Sequence, residues 1–163
     1  MAAARETHVS EAMSLVVDGR VPARRRVVAV ALTAMELLRP ESDLARLLGN
    51  FDHADVLVAA DDGAGSDDTL RSGVAELRHA ALYVHRLALQ PPVHGEDEGD
   101  LVAAMSELVG FDPEPGVYCL APAPSLRDPA RVAVSRAAQR IAQVYGIPLL
   151  RYRCLELSVV DAP

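Results

Sequence analysis

An acidic segment at residues 61–68 (DDGAGSDD) holds the densest group of potentially reactive side chains in the sequence. It follows an apolar run at residues 55–60 that predicts a buried strand, and Ser66 or Asp67 is suited to cap a following helix. Ligands collect at such strand ends in open α/β sheets, because helix dipoles converge there. The carboxylates could hold a hard cation such as Mg²⁺ through oxygen ligands. The alternative is a solvated turn and an acidic helix cap.

The corresponding loop later in the chain, residues 122–127 (PAPSLR), carries arginine in place of acid. Asp68-x-x-Arg71 in the first half matches Asp128-x-x-Arg131 in the second. If the two halves pack about a pseudo-twofold axis, an acidic loop and an arginine-bearing loop would form one site between them. The predicted ligand-binding residues of this seam are Asp61, Asp62, Ser66, Asp68, Arg71, Ser125, Arg127 and Arg131.

A second group of basic residues lies on two predicted strands. His85 and Arg86 are adjacent, and Arg151 and Arg153 share one strand face by the period of two. A partly buried arginine pair can bind a carboxylate or phosphate through paired hydrogen bonds. The alternative is an edge strand that carries charge against aggregation. We include His85, Arg86 and Arg153 among the candidate ligand-binding residues.

Several chemistries are excluded by residue type and spacing. All 16 basic residues are arginine, which excludes Schiff-base chemistry, a P-loop lysine and a lysine base. The histidines show no metal-ligand spacing, HExxH, CxxC and Gly-x-Ser-x-Gly are absent, and we predict neither a metal site nor a cofactor. Cys119 and Cys154 lie in apolar runs that predict buried free thiols, with a nucleophilic Cys119 as the alternative.

The composition indicates one soluble domain. The chain has 163 residues, is 50% hydrophobic and carries a net charge of −7, which disfavours nucleic-acid binding. The basic run at residues 24–26 is short enough to be a solvated helical turn. We find no signal peptide and no apolar run of membrane-spanning length, so we expect a cytoplasmic protein that binds no membrane.

The elements that must position these residues predict a single α/β domain over residues 1–163. We expect a layered fold with a central sheet of about four to five strands flanked by helices, built from two degenerate helix-strand-helix-strand halves. The first half spans about 42–90 and the second about 101–160, with an acidic loop at 90–100 between them. N-terminal helices are expected at about 9–38.

Individual elements follow from caps and periodicity. Asp128 as N-cap and Gly146 as C′ residue bound the clearest helix, at residues 128–145. Residues 22–38 are ambiguous, because the apolar run 27–32 suits a strand as well as a helix, and we favour the helix. The remaining segments are listed by type: helices at 9–17, 42–48, 66–79 and 101–109; strands at 55–60, 81–89, 116–121 and 149–160.

The internal repeat also bears on function. The repeated order of a helix, an apolar strand such as ADVLVAA (residues 54–60), a loop, a helix and a strand resembles that of thiolase-like enzymes, whose fold is an internal duplication. The chain is too short for a complete enzyme of that type and has no counterpart of its catalytic Cys, His and Asn motifs, so the resemblance implies a degenerate thiolase-like domain.

These observations leave two principal functional hypotheses. We favour a non-catalytic small-molecule-binding or accessory protein that self-associates as a homodimer or higher oligomer and takes a small anionic ligand. The alternative is a Mg²⁺-dependent enzyme that acts on a phosphorylated or carboxylated small molecule through the loop at 61–68 and the arginines.

Overall fold

A computed structural model describes residues 25–61 and 67–153, so the predicted helix 9–17, Asp62, Ser66 and Cys154 lie outside the described residues. The strands are β1 (Arg26–Ala31), β2 (His53–Ala60), β3 (Leu82–Leu89), β4 (Val117–Pro122) and β5 (Leu149–Tyr152). The helices are α1 (Met35–Leu38), α2 (Asp43–Leu48), α3 (Asp67–Glu76), α4 (Glu98–Val109) and α5 (Pro129–Tyr145), with a short 3₁₀ turn at Gly95–Asp97 before α4.

The five strands form one parallel sheet in the order β3-β2-β1-β4-β5. The chain builds β2 and β3 on one side of β1 and then returns to place β4 and β5 on the other side. The order therefore reverses between β1 and β4, which is where loops diverge to opposite faces and leave room for ligands. The prediction of an α/β fold with a central sheet of four to five strands is confirmed.

Helices cover both faces of the sheet, which is why its central strands are almost continuously apolar. On one face, α1 and α2 contribute Leu37, Leu44 and Leu48 to a core with alternate residues of β1 and β2, and α3 adds partly buried contacts. On the other face, α4 and α5 pack through buried residues that include Leu101, Met105 and Ile141. Small residues of α5 lie directly on the sheet, consistent with a core of Ala, Val and Leu.

The helix predicted at residues 22–38 is wrong over residues 26–31, which form β1, the central strand. Within the described part of that prediction, the helix is found only in α1. The apolar run VVAVA is buried and pairs with β2 on one side and β4 on the other. Local periodicity could not select the strand, whereas the partners on either side favour an extended conformation that buries both faces.

The other boundaries agree closely with the caps. Asp128 accepts hydrogen bonds from Ala130 N and Arg131 N at the start of α5, and Gly146 ends it with φ 65°. Helix α4 begins at Glu98, inside the segment predicted as a loop. β5 is described to Tyr152, and the later part of the predicted strand lies outside the described residues. The two halves share their element order, and their common origin stays a prediction.

Candidate functional site

A group of polar residues lies at the carboxyl ends of β1 and β4, where the strand order reverses. We call Glu36, Asp128, Arg131 and Tyr152 the Glu36 cluster. Glu36 follows β1 in α1, Asp128 and Arg131 lie at the start of α5, and Tyr152 ends β5. The cluster thus joins helices from the two faces of the sheet across its carboxyl edge.

Glu36 and Tyr152 form the inner part of this cluster. The Glu36 Oε2 accepts a hydrogen bond from Leu32 N at 3.1 Å, within the turn that follows β1. The Tyr152 hydroxyl lies 2.8 Å from the same oxygen and 2.9 Å from the carbonyl oxygen of Val30. These contacts tie the end of β5 to the end of β1 across β4.

Arg131 approaches Glu36 from the opposite face of the sheet. Its Nε lies 3.4 Å from Asp128 Oδ2 and 4.0 Å from Glu36 Oε1, and the Arg131 and Glu36 side chains are each 13% exposed. Asp128 is therefore the nearer counter-ion of the guanidinium. The Glu36 carboxyl group and the Arg131 guanidinium are largely desolvated, whereas the Asp128 side chain is 32% exposed.

Burial raises the pKa of Glu36 above the ordinary value of a glutamate. The hydrogen bond from Leu32 N–H and the charge of Arg131 oppose this rise, as does the contact with Tyr152 when its hydroxyl donates to the carboxylate, and the charge of Asp128 reinforces it. The direction of the shift is set by desolvation. A buried carboxyl group with a raised pKa next to charged groups is a feature of many functional sites.

The structure places most of the predicted seam residues at the same edge. Arg127 is exposed in the loop between β4 and α5, where its backbone N–H donates to Ser125 Oγ at 3.3 Å. Asp61 follows β2, while Asp68 and Arg71 lie exposed on α3. β1 lies between β2 and β4, and the acids of the described residues that lie within 4.0 Å of Arg131 Nε are Asp128 and Glu36, the latter in α1.

The predicted basic residues of the strands are divided between different places. Arg86, on β3, binds Asp67 of the acidic segment through NH1 at 3.1 Å. Arg153 is exposed just after β5, at the carboxyl edge, and Arg151 is half-buried within β5. His85 lies in the middle of β3 and belongs to a second polar cluster.

This second group, the Asp55 cluster, contains Arg26, His53, Asp55 and His85. Asp55 Oδ1 lies 2.9 Å from His85 Nε2, and Oδ2 lies 3.0 Å from His53 Nε2 and 3.1 Å from Arg26 NH2. Arg26 also binds the carbonyl groups of Leu108 and Val109 at the end of α4. Asp55 therefore orients an arginine that caps a helix, while the two imidazoles remain partly exposed.

The pKa of Asp55 is lowered despite its environment. Burial by itself would raise it, but the hydrogen bonds from His85 and Arg26, with the charges of Arg26 and His53, outweigh burial. Asp55 is therefore an ionised carboxylate that holds together side chains of β1, β2 and β3. Each imidazole directs its Nε2 at the carboxylate, and no group of three or more His, Cys, Asp and Glu in the described part of the chain could hold a metal ion.

A cavity of about 330 Å³ lies at the opposite, amino edge of the sheet. Leu48, Phe51 and Leu77 are among its lining residues, and Arg78 and His79 contribute polar atoms. His79 Nδ1 accepts from Ala81 N, so its Nε2 donates to Leu48 O at 3.0 Å. Both ring nitrogens of His79 are therefore engaged by backbone groups. The charged side chains that converge from several elements are those of the Glu36 cluster and the Asp55 cluster, which do not line this cavity.

Glu36, Tyr152 and Asp55 are site residues that the sequence analysis missed. Glu36 was hidden within a predicted helix, where an acid is an ordinary surface residue. Asp55 carried a usable signal, because it is a charged residue at the start of an otherwise apolar strand run. The contact between Tyr152 and Glu36 spans 116 positions in the chain, and no local pattern predicts it.

Comparisons with known proteins support the fold alone. No protein-family model and no curated protein matches the chain. The crystal structure of the conserved protein TT1542 from Thermus thermophilus is similar, with a TM-score of 0.57 and 17% identity over 82% of this chain and 68% of that one. At this identity the likeness shows a shared α/β fold. Among residues 25–61 and 67–153, no helix is long and apolar enough to cross a membrane.

Proposed function

We propose that this protein is a non-catalytic small-molecule-binding or accessory protein that takes a small anionic ligand above the Glu36 cluster. The observation that carries the proposal is the convergence of Arg131 and Glu36 at the carboxyl edge, where the strand order reverses between β1 and β4. Ligands of open α/β sheets bind outside this edge. The exposed Arg127 in the adjoining loop supplies a cation on the solvent side.

The state of the polar groups supports binding rather than catalysis. Asp128 accepts the first N–H groups of α5, and Ser125 Oγ accepts from the Arg127 N–H. Burial raises the pKa of the Cys119 thiol to about 12, so the thiolate needed for nucleophilic attack is scarce at neutral pH. Asp128, Ser125 and Cys119 are therefore each engaged by the fold.

The proposal is tested by calorimetric titration of the full chain with sulfate. Binding to the wild type should be weakened at least several-fold by Arg127→Gln, because an exposed cation at the entrance is removed. Arg136→Gln is the matched control, since Arg136 is exposed on α5 away from its first turn, and it should bind sulfate as the wild type does.

Two outcomes would contradict this proposal. Equal sulfate affinity in Arg127→Gln and Arg136→Gln would exclude Arg127 as a ligand-binding residue. Loss of binding in Arg78→Gln instead would move the site to the cavity at the amino edge. A parallel titration with Mg²⁺ tests the alternative of a Mg²⁺-dependent enzyme. That alternative requires the wild type to bind Mg²⁺ and Asp61→Ala to lose this binding.

We also propose that the protein self-associates, as the sequence analysis predicts. Phe111, just after α4, is fully exposed, and Val144, near the end of α5, is 75% exposed. Both helices end at the amino edge of the sheet, so these apolar side chains are available to a second copy. Light scattering should give at least twice the monomer mass of 17.4 kDa, and Phe111→Ser/Val144→Ser should lower it. A monomer mass for the wild type at all concentrations would contradict this.

A further inference from the structure

The phenol of Tyr152 faces two acceptors with a single proton. Its oxygen lies 2.9 Å from Val30 O and 2.8 Å from Glu36 Oε2, and both are hydrogen-bond distances. A hydroxyl group donates one proton and can accept others. If Glu36 were ionised, Tyr152 could satisfy only one of these oxygens, and the other would face a lone pair at short range.

A proton on Glu36 removes this conflict. The Glu36 Oε2–H then donates to the Tyr152 oxygen, and the Tyr152 O–H donates to Val30 O. Leu32 N–H can still donate to Oε2, which keeps a lone pair as a carboxylic acid oxygen. All four polar groups are satisfied by one directed chain of hydrogen bonds, as burial requires.

The charged groups around Glu36 are compatible with this arrangement. Asp128 is the nearer acid to Arg131, at 3.4 Å against 4.0 Å for Glu36, so the guanidinium keeps a counter-ion when Glu36 is neutral. An ionised Glu36 would place two carboxylates beside one arginine. Tyr152 is the titratable group that packs against Glu36 from β5, and Arg131 and Asp128 face it from the start of α5.

We propose that Glu36 is a proton-bearing carboxylic acid, hydrogen-bonded in the order Glu36 to Tyr152 to Val30, and that the anion site above it binds its ligand together with this proton. The second part rests on the proposed function. When Glu36 loses its proton, its negative charge lies beside Arg131 and opposes an incoming anion. Anion affinity therefore falls as the pH rises through the ionisation of Glu36, and by linkage a bound anion favours the protonated form.

The proton is tested without any ligand by carbon NMR of the glutamate side-chain carboxyl groups in the full chain. The Glu36 signal is assigned by its absence in Glu36→Gln. We expect its midpoint above the ordinary glutamate pKa of about 4.3. A midpoint at or below that value would overturn the proposal.

Tyr152→Phe decides the direction of the hydrogen bond. If Tyr152 accepts from a neutral Glu36, removal of the hydroxyl destabilises the protonated form, and the Glu36 pKa falls. If Tyr152 instead donates to an ionised Glu36, the same substitution raises that pKa, and the proposed order of donors is wrong. A purely structural role for Tyr152 would change the melting temperature without either shift.

The coupling is measured with sulfate, which stays fully ionised between pH 4 and 9. In the wild type the sulfate association constant should fall as the pH rises, by up to about tenfold per unit where one proton is linked. In Glu36→Gln the side chain is neutral at every pH, so the pH dependence of the sulfate association constant that comes from Glu36 should disappear. Only the pH dependence that comes from exposed histidines should remain. An identical pH slope in both proteins would overturn the coupling. Absence of sulfate binding at every pH would instead refute the proposed function, while the NMR midpoint reports the Glu36 proton independently.

Discussion

Asp55 illustrates how one carboxylate can organise residues from several elements. It receives hydrogen bonds from Arg26 on β1 and His85 on β3, and His53 lies beside it on β2. Arg26 in turn binds the last carbonyl groups of α4, where a cation is also favoured by the helix dipole. The Asp55 carboxylate therefore links β1, β2 and β3 directly, and links them to the end of α4 through Arg26.

Asp55→Asn should lower the free energy of unfolding by about 2 kcal/mol near neutral pH, because hydrogen bonds to a charged group are lost. The lowered pKa fixes the sign of the pH dependence. Ionised Asp55 stabilises the fold above its unfolded pKa, and this contribution disappears as the pH falls through its folded pKa. Urea unfolding from pH 7 to pH 2 should show the two proteins converging.

The matched control for this measurement is Asp112→Asn, in an exposed loop. It should change the free energy of unfolding by no more than about 0.5 kcal/mol at either pH. A difference between wild type and Asp55→Asn that stays constant down to pH 2 would show that the charge of Asp55 is not what stabilises the fold.

The reactivity of the Cys119 thiol can also be predicted from its surroundings. Its side chain is fully buried against α5, and burial raises its pKa to about 12. In a Cys154→Ser background, Cys119 should not react with a disulfide reagent at pH 8 until urea unfolds the protein. Rapid reaction of the folded protein would show that the thiol is accessible and restore Cys119 as a candidate nucleophile.

At the scale of elements, α5 and α4 allow a matched comparison of two glycines. Gly146 ends α5 with φ 65°, which a residue with Cβ adopts only under strain. Gly99 lies in the first turn of α4 with open space around an added Cβ. The same substitution by alanine should therefore have opposite effects at the two positions.

Gly146→Ala should lower the free energy of unfolding by about 1 kcal/mol, because the left-handed conformation is costly for alanine. Gly99→Ala should raise it by up to about 1 kcal/mol, since it restricts the unfolded chain without a clash. Urea denaturation of both variants measures the two signs directly. Stabilisation by Gly146→Ala would mean that α5 does not end in the left-handed conformation in solution.

At the scale of the whole molecule, the position of each strand in the sheet sets its protection. β1 is buried and paired on both sides, whereas β3 and β5 each leave one edge unpaired among the described strands. In native-state hydrogen exchange, the amides of β1 should open only with global unfolding, and β3 amides should exchange faster by local opening. Equal protection of β3 and β1 would indicate that a further segment or a second copy covers the β3 edge.

The sequence predicted helix boundaries best where capping residues and helix-terminating glycines were present. Asp128, Pro129 and the left-handed Gly146 bound α5 as predicted, and Ser42 and Gly49 bound α2, because capping interactions act over a few residues. At residues 26–31 the predicted helix is wrong, since a short apolar run is compatible with a helix or a strand until its neighbours in the sheet are known.

The features of the candidate site likewise fall into those that local sequence predicts and those that depend on the tertiary structure. The sequence by itself determined that arginines supply every fixed cation, that the loops after β2 and β4 differ in charge, and that strands alternate with helices. Only the tertiary structure decided that Glu36 lies beside Arg131 and Tyr152, because a parallel sheet brings the ends of distant strands to one edge. Strand order and the burial it imposes are properties of the assembled sheet, and they determine which carboxyl group holds a proton.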